Sequence, residues 1–175
     1  MDVRIAKCRA EDVAALEKVL PSPGLSGYHE ARYRRQVAGG GTYLVACVDD
    51  GLPGGSGEII WGGCGAAEVQ AAFPGVPELS GLSVVPRRQG QGIGTALISA
   101  AESVVVARGV GRLGMGVDDS NGRAAALYLR LGYAETGCHY LDRYHYVDDS
   151  GERHEVADPC RFLVKELRPP ATIGG

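Results

Sequence analysis

Halfway along the chain, the sequence runs Val84-Val85-Pro86-Arg87-Arg88-Gln89-Gly90-Gln91-Gly92-Ile93-Gly94-Thr95-Ala96-Leu97. Branched apolar residues precede Pro86 and a helical apolar period follows Gly92, so the stretch predicts a strand, a glycine-rich turn and a helix. In such a turn several backbone N–H groups point at one locus, and the helix N-terminus adds about half a positive charge. The stretch therefore predicts an anion-binding loop, and Arg87 and Arg88 could reach a further phosphate.

Three alternatives compete with this interpretation. A P-loop requires Lys followed by Ser or Thr after its last glycine, and Ile93-Gly94-Thr95 contains no lysine. A dinucleotide-binding fingerprint requires a third glycine where Thr95 stands, and it belongs directly after the first strand of a βαβ unit. The third alternative, a glycine-rich turn that binds no ligand, stays open at this point.

Hydrophobic periodicity on either side of the loop predicts the remaining elements. Strands are predicted at residues 3–5, 42–48, 58–64, 78–85, 113–117, 138–147 and 161–167. Helices are predicted at 11–20, 28–37, 92–107 and from Asn121 to about Gly132, with a flexible connection at 51–57 and a loop at 66–77. This order predicts an α/β (α+β) fold with a mixed sheet flanked by about four helices. We expect one domain over residues 1–168 and a flexible tail over 169–175.

Length, charge and composition limit the classes of function. The chain has 175 residues, of which 45% are hydrophobic and 22% charged, as expected for one globular domain. Its net charge of −3 disfavours phosphate backbones, so we expect no nucleic-acid partner. No apolar run approaches the ~18 residues of a membrane span, and the first residues contain no apolar signal core. We therefore expect a cytoplasmic protein without a membrane partner.

Cysteine and histidine spacing predicts no metal cofactor. The five cysteines form an odd set without a CxxC pair, which is typical of reduced thiols rather than of a disulfide framework. The four histidines have neither HxxxH nor HExxH spacing, so no pattern indicates a metal site.

Two motifs follow one another in the second half of the chain. The first, Gln/Arg-x-x-Gly-x-Gly/Ala, is matched by Gln89, Gly92 and Gly94. The second, Asn-x-x-Ala-x-x-Leu-Tyr-x-x-x-Gly-Phe/Tyr, is matched by Asn121, Ala124, Leu127, Tyr128, Gly132 and Tyr133. In this order the two motifs resemble those of the GNAT superfamily of N-acetyltransferases. Residues 3–16 and 162–167 also resemble the first and last elements of the family, so the resemblance covers nearly the whole chain.

The resemblance implies a GNAT fold, in which a mostly antiparallel sheet contains one splayed parallel strand pair. The pantetheine arm of acetyl-CoA would lie between those strands, here residues 78–85 and 113–117. A bulge in the first strand would present backbone N–H groups to the thioester carbonyl and stabilise its developing charge. The residues expected to bind acetyl-CoA are Leu82, Ser83, Val84, Arg87, Arg88, Gln89, Gly90, Gln91, Gly92, Ile93, Gly94, Thr95, Asn121 and Tyr128, with the bulge at Leu82 to Val84.

A general base is implied by the chemistry of the acceptor. An amine with a pKa near 10.4 is neutral in only about one molecule in 2,500 at pH 7, so removal of its proton assists attack. Glu78 enters the central strand where family members often carry a carboxylate, and we expect it to take the proton directly or through a water. Asp118 and Asp119 are the alternatives, although helix capping explains at least one of them. The other interpretation of Glu78 is a solvated charge at a strand end.

Tyr128 matches the family tyrosine that hydrogen-bonds or protonates the departing CoA sulfur. A thiol with a pKa near 8.5 is more acidic than a phenol with a pKa near 10, so full proton transfer to the thiolate runs uphill by about 2 kcal/mol. We therefore expect a hydrogen bond that strengthens as the thiolate forms. Asn121 lies two helical turns earlier on the same face and could bond the pantetheine. The alternative is that Tyr128 only packs in the apolar face of its helix.

The acceptor site is harder to predict. The region that the resemblance assigns to it carries Tyr28, His29, Tyr33, Trp61, His139, Tyr140, Tyr144 and Tyr146, which could enclose an amine or simply pack. The resemblance implies direct acetyl transfer from acetyl-CoA to a primary amine of a small molecule or peptide, without a covalent enzyme intermediate. Two alternatives stay open: transfer from another acyl-CoA, and a CoA-binding sensor without turnover. Family members are often dimers, so a homodimer is a possible assembly.

Overall fold

Apolar periodicity and glycine or proline breaks divide the chain into strands and helices. A computed structural model describes residues 1–22, 27–49 and 51–167; the predicted tail at 169–175 lies outside them. The strands are β1 (Val3–Lys7), β2 (Gly41–Val48), β3 (Pro53–Ile60), β4 (Glu78–Val84), β5 (Arg112–Asp118), β6 (Ala134–Val147) and β7 (Arg153–Glu166). The helices are α1 (Ala10–Val19), α2 (Tyr28–Val37), α3 (Ala67–Ala72), α4 (Ile93–Ala107) and α5 (Gly122–Arg130).

The strands form one sheet in the order β1-β2-β3-β4-β5-β7-β6. Every neighbouring pair is antiparallel except β4 and β5, which run parallel. The predicted mixed, mostly antiparallel sheet is therefore confirmed. Successive side chains of a strand point to opposite faces. On one face Leu79 and Leu113 pack with α4, and on the other Tyr43 packs with α1 and Phe162 with α3.

The parallel pair β4–β5 separates almost as soon as it forms. Glu78 opposite Gly114 is the one residue pair that joins the two strands in the described part of the chain. Beyond Glu78, β4 pairs only with β3, whereas β5 continues along β7. The predicted splayed pair is thus present, and it leaves a gap in the middle of the sheet.

A bulge in β4 lies beside this gap. Gly81 and Leu82 together face a single β3 residue, Gly57, so the bulge begins one residue before the predicted Leu82. Gly81 has a φ of +63°, and a Cβ there would lie 2.7 Å from the hydroxyl of Tyr28 and 2.8 Å from the guanidinium of Arg32. The left-handed backbone conformation therefore requires glycine at this position, and a Cβ would in addition displace the ends of the Tyr28 and Arg32 side chains.

Two predicted connections were wrong. Residues 66–77 were predicted as a loop, but the strong helix former alanine supports α3 over Ala67–Ala72, so the described residues contain five helices rather than about four. The flexible connection predicted at 51–57 is mostly strand, because β3 begins at Pro53 and ends at Ile60, short of the predicted residue 64. Its glycines allow close packing: a Cβ on Gly55 would lie 2.8 Å from the carbonyl oxygen of Ser83.

The last two strands are longer than predicted. The two strands pair antiparallel from Ala134 opposite Val164 to Val147 opposite Arg153, with one register shift. The part of β7 before Cys160, residues 153–159, pairs with β6 but not with β5, so this end of the hairpin extends past the sheet. None of the helices in the described part of the chain is long and apolar enough to cross a bilayer.

Candidate active site

Two cavities lie on opposite faces of the sheet, on either side of the gap between β4 and β5. The first, called the basic cavity here, has a volume of about 540 Å³ and is lined by the glycine-rich loop, the end of β4 and α5. The second, called the acidic cavity, has a volume of about 750 Å³ and is lined by parts of β4 to β7 and the start of α3. The bulge touches both, since Gly81 lines the acidic cavity and Leu82 the basic cavity.

Most of the residues predicted to bind acetyl-CoA converge on the basic cavity. Those that line it are Leu82, Val84, Arg88, Gln89, Gly90, Gly92, Ile93, Gly94, Thr95, Asn121 and Tyr128. Ser83, Arg87 and Gln91 lie outside its lining. Ser83 pairs with Ser56 in the sheet, Arg87 is exposed in the short 3-10 turn at Pro86–Arg88, and the side chain of Gln91 folds back to donate to the carbonyl of Arg87 at 3.4 Å.

The loop before α4 presents free backbone N–H groups to the basic cavity. In the residues that the structure describes, the N–H groups of positions 90–95 donate to no protein acceptor, and that of Ala96 is the next to do so, to the carbonyl of Gly92 at 3.0 Å. Gly90 and Gly92 have φ values of +74° and +84°, which favour glycine. Because a hydrogen bond to a charged group contributes about 1.5–3 kcal/mol, this cradle can hold a pyrophosphate.

Gly92 and Gly94 contribute in different ways. Gly92 is required for its left-handed backbone, since a Cβ there would meet nothing within 4 Å. Gly94 is helical, and a Cβ on it would lie 3.8 Å from Val84 and 3.9 Å from Leu127, both of which line the basic cavity. A methyl group therefore fits at Gly94, whereas a longer side chain would enter the cavity.

The lining charges of the basic cavity are all positive. Arg88, Arg123 and Arg130 line it, and no carboxylate does among the described residues. Arg123 and Arg130 were not predicted, because they occupy variable positions of the second motif. They are seven residues apart on α5, the same two-turn spacing that separates the N-cap Asn121 from Tyr128, and this spacing was the signal that could have identified them.

Tyr128 and Asn121 project from α5 into the basic cavity. The Tyr128 side chain is largely buried, which raises its pKa, and its hydroxyl has no hydrogen-bond partner within the described ranges. Asn121 caps the helix: the backbone N–H of Ala124 donates to its Oδ1 at 3.1 Å. The Asn121 amide nitrogen remains available as a donor toward the cavity.

Glu78 lines the acidic cavity, on the opposite side of the gap from Tyr128. Glu78 is only 8% exposed, and the backbone N–H of Gly116 donates to its carboxylate. Burial raises the pKa of Glu78 to about 7, and the nearby charges of Asp142 and Glu58 act in the same direction. A carboxyl group with this pKa suits proton transfer near neutral pH.

The two alternative carboxylates are less suited to take a proton. Asp118 also lines the acidic cavity, but the hydroxyl and backbone N–H of Ser120 donate to it and lower its pKa. Asp119 lies 3.5 Å from a guanidinium nitrogen of Arg161. Both therefore have local partners that explain their positions.

Of the eight aromatic and histidine residues predicted around the acceptor, only Tyr140 lines the acidic cavity. His29 is a core residue, since its ring nitrogens lie 2.5 Å from the Tyr43 hydroxyl and 2.8 Å from the Leu20 carbonyl. Trp61 stacks under the guanidinium of Arg108, at 4.0 Å. The residues Tyr28, Tyr33, His139, Tyr144 and Tyr146 are likewise absent from the lining, although Tyr28 contacts the bulge at Gly81.

A buried ion network behind the bulge was not predicted. Glu58 is fully buried, and the Arg35 guanidinium donates to its two oxygens at 2.6 and 2.7 Å. The Nε of Arg32 lies 3.5 Å from the same carboxylate, and the Arg32 guanidinium stacks 3.6 Å from the centre of the Tyr28 ring. These contacts hold α2 against the bulge. A lone glutamate in a glycine-rich strand gave no sequence signal for them.

Three side chains at the tip of the β6–β7 hairpin could coordinate a cation. The ligand atoms of Asp148, Glu152 and His154 lie within 4.8 Å of one another. Local turn contacts explain the arrangement, because Asp148 accepts from Ser150 and from the backbone N–H of Glu152 and lies 2.7 Å from His154 Nε2.

Comparison with known proteins agrees with this geometry. The model of the acetyltransferase (GNAT) family matches residues 13–133. Mycothiol acetyltransferase of Beutenbergia cavernae is 42% identical over 62 residues, covering 35% of this chain and 21% of that protein. Acetyl transferase GW6a of Oryza sativa subsp. japonica is 35% identical over 108 residues, covering 61% of this chain and 22% of that protein. The matches thus span about a fifth of either relative.

A solved structure shares the fold. The ribosomal-protein-S18-alanine N-acetyltransferase of Escherichia coli aligns with a TM-score of 0.66 and 18% identity, covering 99% of both chains. Proteins of this family normally use acetyl-CoA as the acyl donor. The free backbone N–H groups before α4 and the splayed strand pair are consistent with membership of this family. The chain therefore belongs to the GNAT acetyltransferase family.

Proposed function

We propose that this protein transfers an acetyl group from acetyl-CoA to a primary amine of a small molecule or peptide. One observation carries the proposal: the basic and acidic cavities adjoin the same gap, with Leu82 lining one and Gly81 the other. A phosphate-bearing donor in the basic cavity and an amine in the acidic cavity would bring thioester and nucleophile together at the bulge. Close approach of two held reactants is itself a large part of such catalysis.

The transfer is direct. The amine nitrogen attacks the thioester carbonyl, a C–N bond forms, and the C–S bond breaks to release CoA as a thiolate. Cys64 and Cys160 line the acidic cavity, but burial raises the pKa of each to about 11. Both thiols are therefore protonated at neutral pH and poorly nucleophilic, which supports a route without an enzyme-bound acetyl group.

Glu78 accepts the proton of the amine. With a pKa of about 7 it is half ionised at neutral pH and is a stronger base than an ordinary carboxylate. Its position in the acidic cavity supports this role, because in the proposed arrangement the amine approaches from that cavity. The proton passes to Glu78 directly or through one water, while the backbone at the bulge stabilises charge on the carbonyl oxygen.

Tyr128 donates a hydrogen bond to the departing sulfur. Burial raises the pKa of its phenol, so complete proton transfer to a thiolate is less favourable than in water. The hydrogen bond strengthens as negative charge collects on sulfur, which favours the transition state over the bound thioester.

Release of free thiol from acetyl-CoA tests the proposal. We expect release that depends on an added primary amine and yields one acetylated amine for each thiol. A faster reaction with succinyl-CoA or malonyl-CoA would assign a different acyl group. Binding of CoA without thiol release for any amine would instead indicate a CoA sensor.

A further inference from the structure

The acidic cavity has a strong excess of negative charge. Its lining includes five carboxylates from five different elements and one cation. The carboxylates are Glu68 on α3, Glu78 on β4, Asp118 on β5, Asp142 on β6 and Asp158 on β7, and the cation is Arg143. The proposed acetyl transfer uses only one of these carboxylates as a base, so the other four have no role in that step.

These carboxylates also lack counterions in the described part of the chain. None of the five lies within 4.0 Å of a basic nitrogen there, whereas most other described acidic side chains are ion-paired. Glu58 with Arg35, at 2.6 Å, and Glu102 with Lys165, at 2.9 Å, are examples. The negative field of the cavity is therefore not neutralised by the protein itself.

Two of the five carboxylates oppose each other directly. Asp142 and Asp158 are cross-strand partners on β6 and β7, and like charges in that position destabilise a sheet. Among the described side chains, only the Tyr144 hydroxyl donates a hydrogen bond to this pair, to Asp158 at 3.0 Å. A cation bound between the two carboxylates would turn this repulsion into attraction.

The shape of the acidic cavity favours a small ligand. Its volume of about 750 Å³ is within the range of small-molecule pockets, and its carboxylates are distributed over walls from α3 to β7. Building on the proposed function, we infer that the acceptor is an aliphatic di- or polyamine: one amine is acetylated beside Glu78, and a second, still protonated, is held by Asp142 and Asp158.

Matched amines test this inference on the unmodified protein. With acetyl-CoA saturating at pH 8, kcat/KM for 1,4-diaminobutane should exceed that for butylamine by about tenfold or more, since the two differ only in the second cation. The advantage should shrink as salt is added, because screening weakens the added attraction. Spermidine and a peptide with a free basic N-terminus complete the panel.

Variants locate the effect. Asp142→Asn and Asp158→Asn should each lower the ratio of kcat/KM for 1,4-diaminobutane to kcat/KM for butylamine about tenfold, a ratio in which any change at Glu78 common to both amines cancels. Asp149→Asn is the matched control, because Asp149 is an exposed residue at the hairpin turn, outside the cavity lining. This variant should leave kcat/KM for both amines unchanged.

Each outcome has a definite meaning. Equal kcat/KM for 1,4-diaminobutane and butylamine, or a preference for the peptide, would overturn the polyamine inference and leave acetyl transfer intact. Failure of every amine to release thiol, with CoA still bound, would overturn the proposed function and this inference with it.

Discussion

The basic and acidic cavities share a strand and a gap, yet they have opposite charge. Arginines line the basic cavity without a carboxylate in the described residues, whereas carboxylates outnumber the one arginine in the acidic cavity. A chain with a net charge of −3 thus separates its charges across the sheet. Under the proposed function each cavity would repel the ligand of the other, and only the uncharged thioester and the attacking amine would have to meet at the bulge.

The two cavities also differ in the chemistry that builds them. The basic cavity is bordered by main-chain N–H groups at positions 90–95 that donate to no protein acceptor in the described residues, an arrangement that only a particular backbone path can present. The acidic cavity relies on side chains from distant strands, such as Glu78 and Asp158. Backbone cradles constrain sequence strongly, and side-chain clusters can be changed one residue at a time. We therefore expect the proposed donor site to tolerate few substitutions and the proposed acceptor site to set substrate choice.

The largest expected effect comes from blocking the basic cavity alone. Gly94→Asp should abolish the rise in melting temperature that CoA produces, because the new side chain enters the cavity and repels phosphate. Gly62→Asp is the control: Gly62 has open space around its Cβ position and lines neither cavity. Thermal unfolding with and without CoA provides the measurement. An undiminished CoA response in Gly94→Asp would remove the donor site from the basic cavity.

A smaller but still large loss of activity is expected from a substitution in the acidic cavity. Glu78→Gln should lower kcat by about 10²–10⁴-fold, the usual contribution of a general base, with CoA affinity retained. In the unmodified protein kcat/KM should rise with pH through about 7, and the variant should lack that inflection. A variant with normal turnover and the same pH profile would show that Glu78 is not the base.

Glu78→Gln also has a predicted effect on stability. The folded-state pKa of Glu78 is raised from 4.5 to about 7, so the fold binds its proton more tightly than the unfolded chain does. Stability of the unmodified protein therefore falls as pH rises from 4.5 to about 7. The variant should melt at a higher temperature than the unmodified protein at pH 8, and the difference should disappear below pH 4.5. A variant less stable at pH 8 would contradict the assigned direction.

The smallest expected loss of activity concerns the departing sulfur. Tyr128→Phe should reduce kcat by about 10- to 100-fold, since a hydrogen bond to a charged group contributes about 1.5–3 kcal/mol, and acetyl-CoA affinity should change little. Tyr133→Phe is a matched control, because the Tyr133 ring lies 6.4 Å from that of Tyr128 and its hydroxyl donates to Glu102. Equal kcat in the two variants would return Tyr128 to a packing role.

Segments in which the backbone conformation requires particular residues could be predicted from the sequence. Gly90 and Gly92 need positive φ angles, and Gln89 and Gly94 complete a motif with fixed spacing, so the loop and α4 could be predicted. The same holds for α5, where Asn121 caps the helix and Tyr128 follows at two turns. Local rules of conformation and capping suffice for such segments.

The predictions were wrong or incomplete where contacts between residues far apart in the sequence determine the structure. The glycines of β3 indicated flexibility, although close approach to the β4 backbone is what requires glycine at Gly55, and at Gly57 a Cβ would crowd the side chains of Leu79 and Leu82 at 3.3 Å. The acidic cavity could not be anticipated either, because Asp142 and Asp158 come together only through the register of β6 and β7. The sequence left open which aromatic residues of the acceptor region only pack: His29 is held by buried hydrogen bonds, and Trp61 packs against the core.

A crystal structure of the protein bound to CoA would show whether the basic cavity is the donor site. We predict that the pyrophosphate accepts hydrogen bonds from the N–H groups of residues 90–95 and that the sulfur lies in the gap between β4 and β5, with Glu78 across from Tyr128. CoA bound at any other surface, or a gap closed by new pairing between β4 and β5, would contradict it.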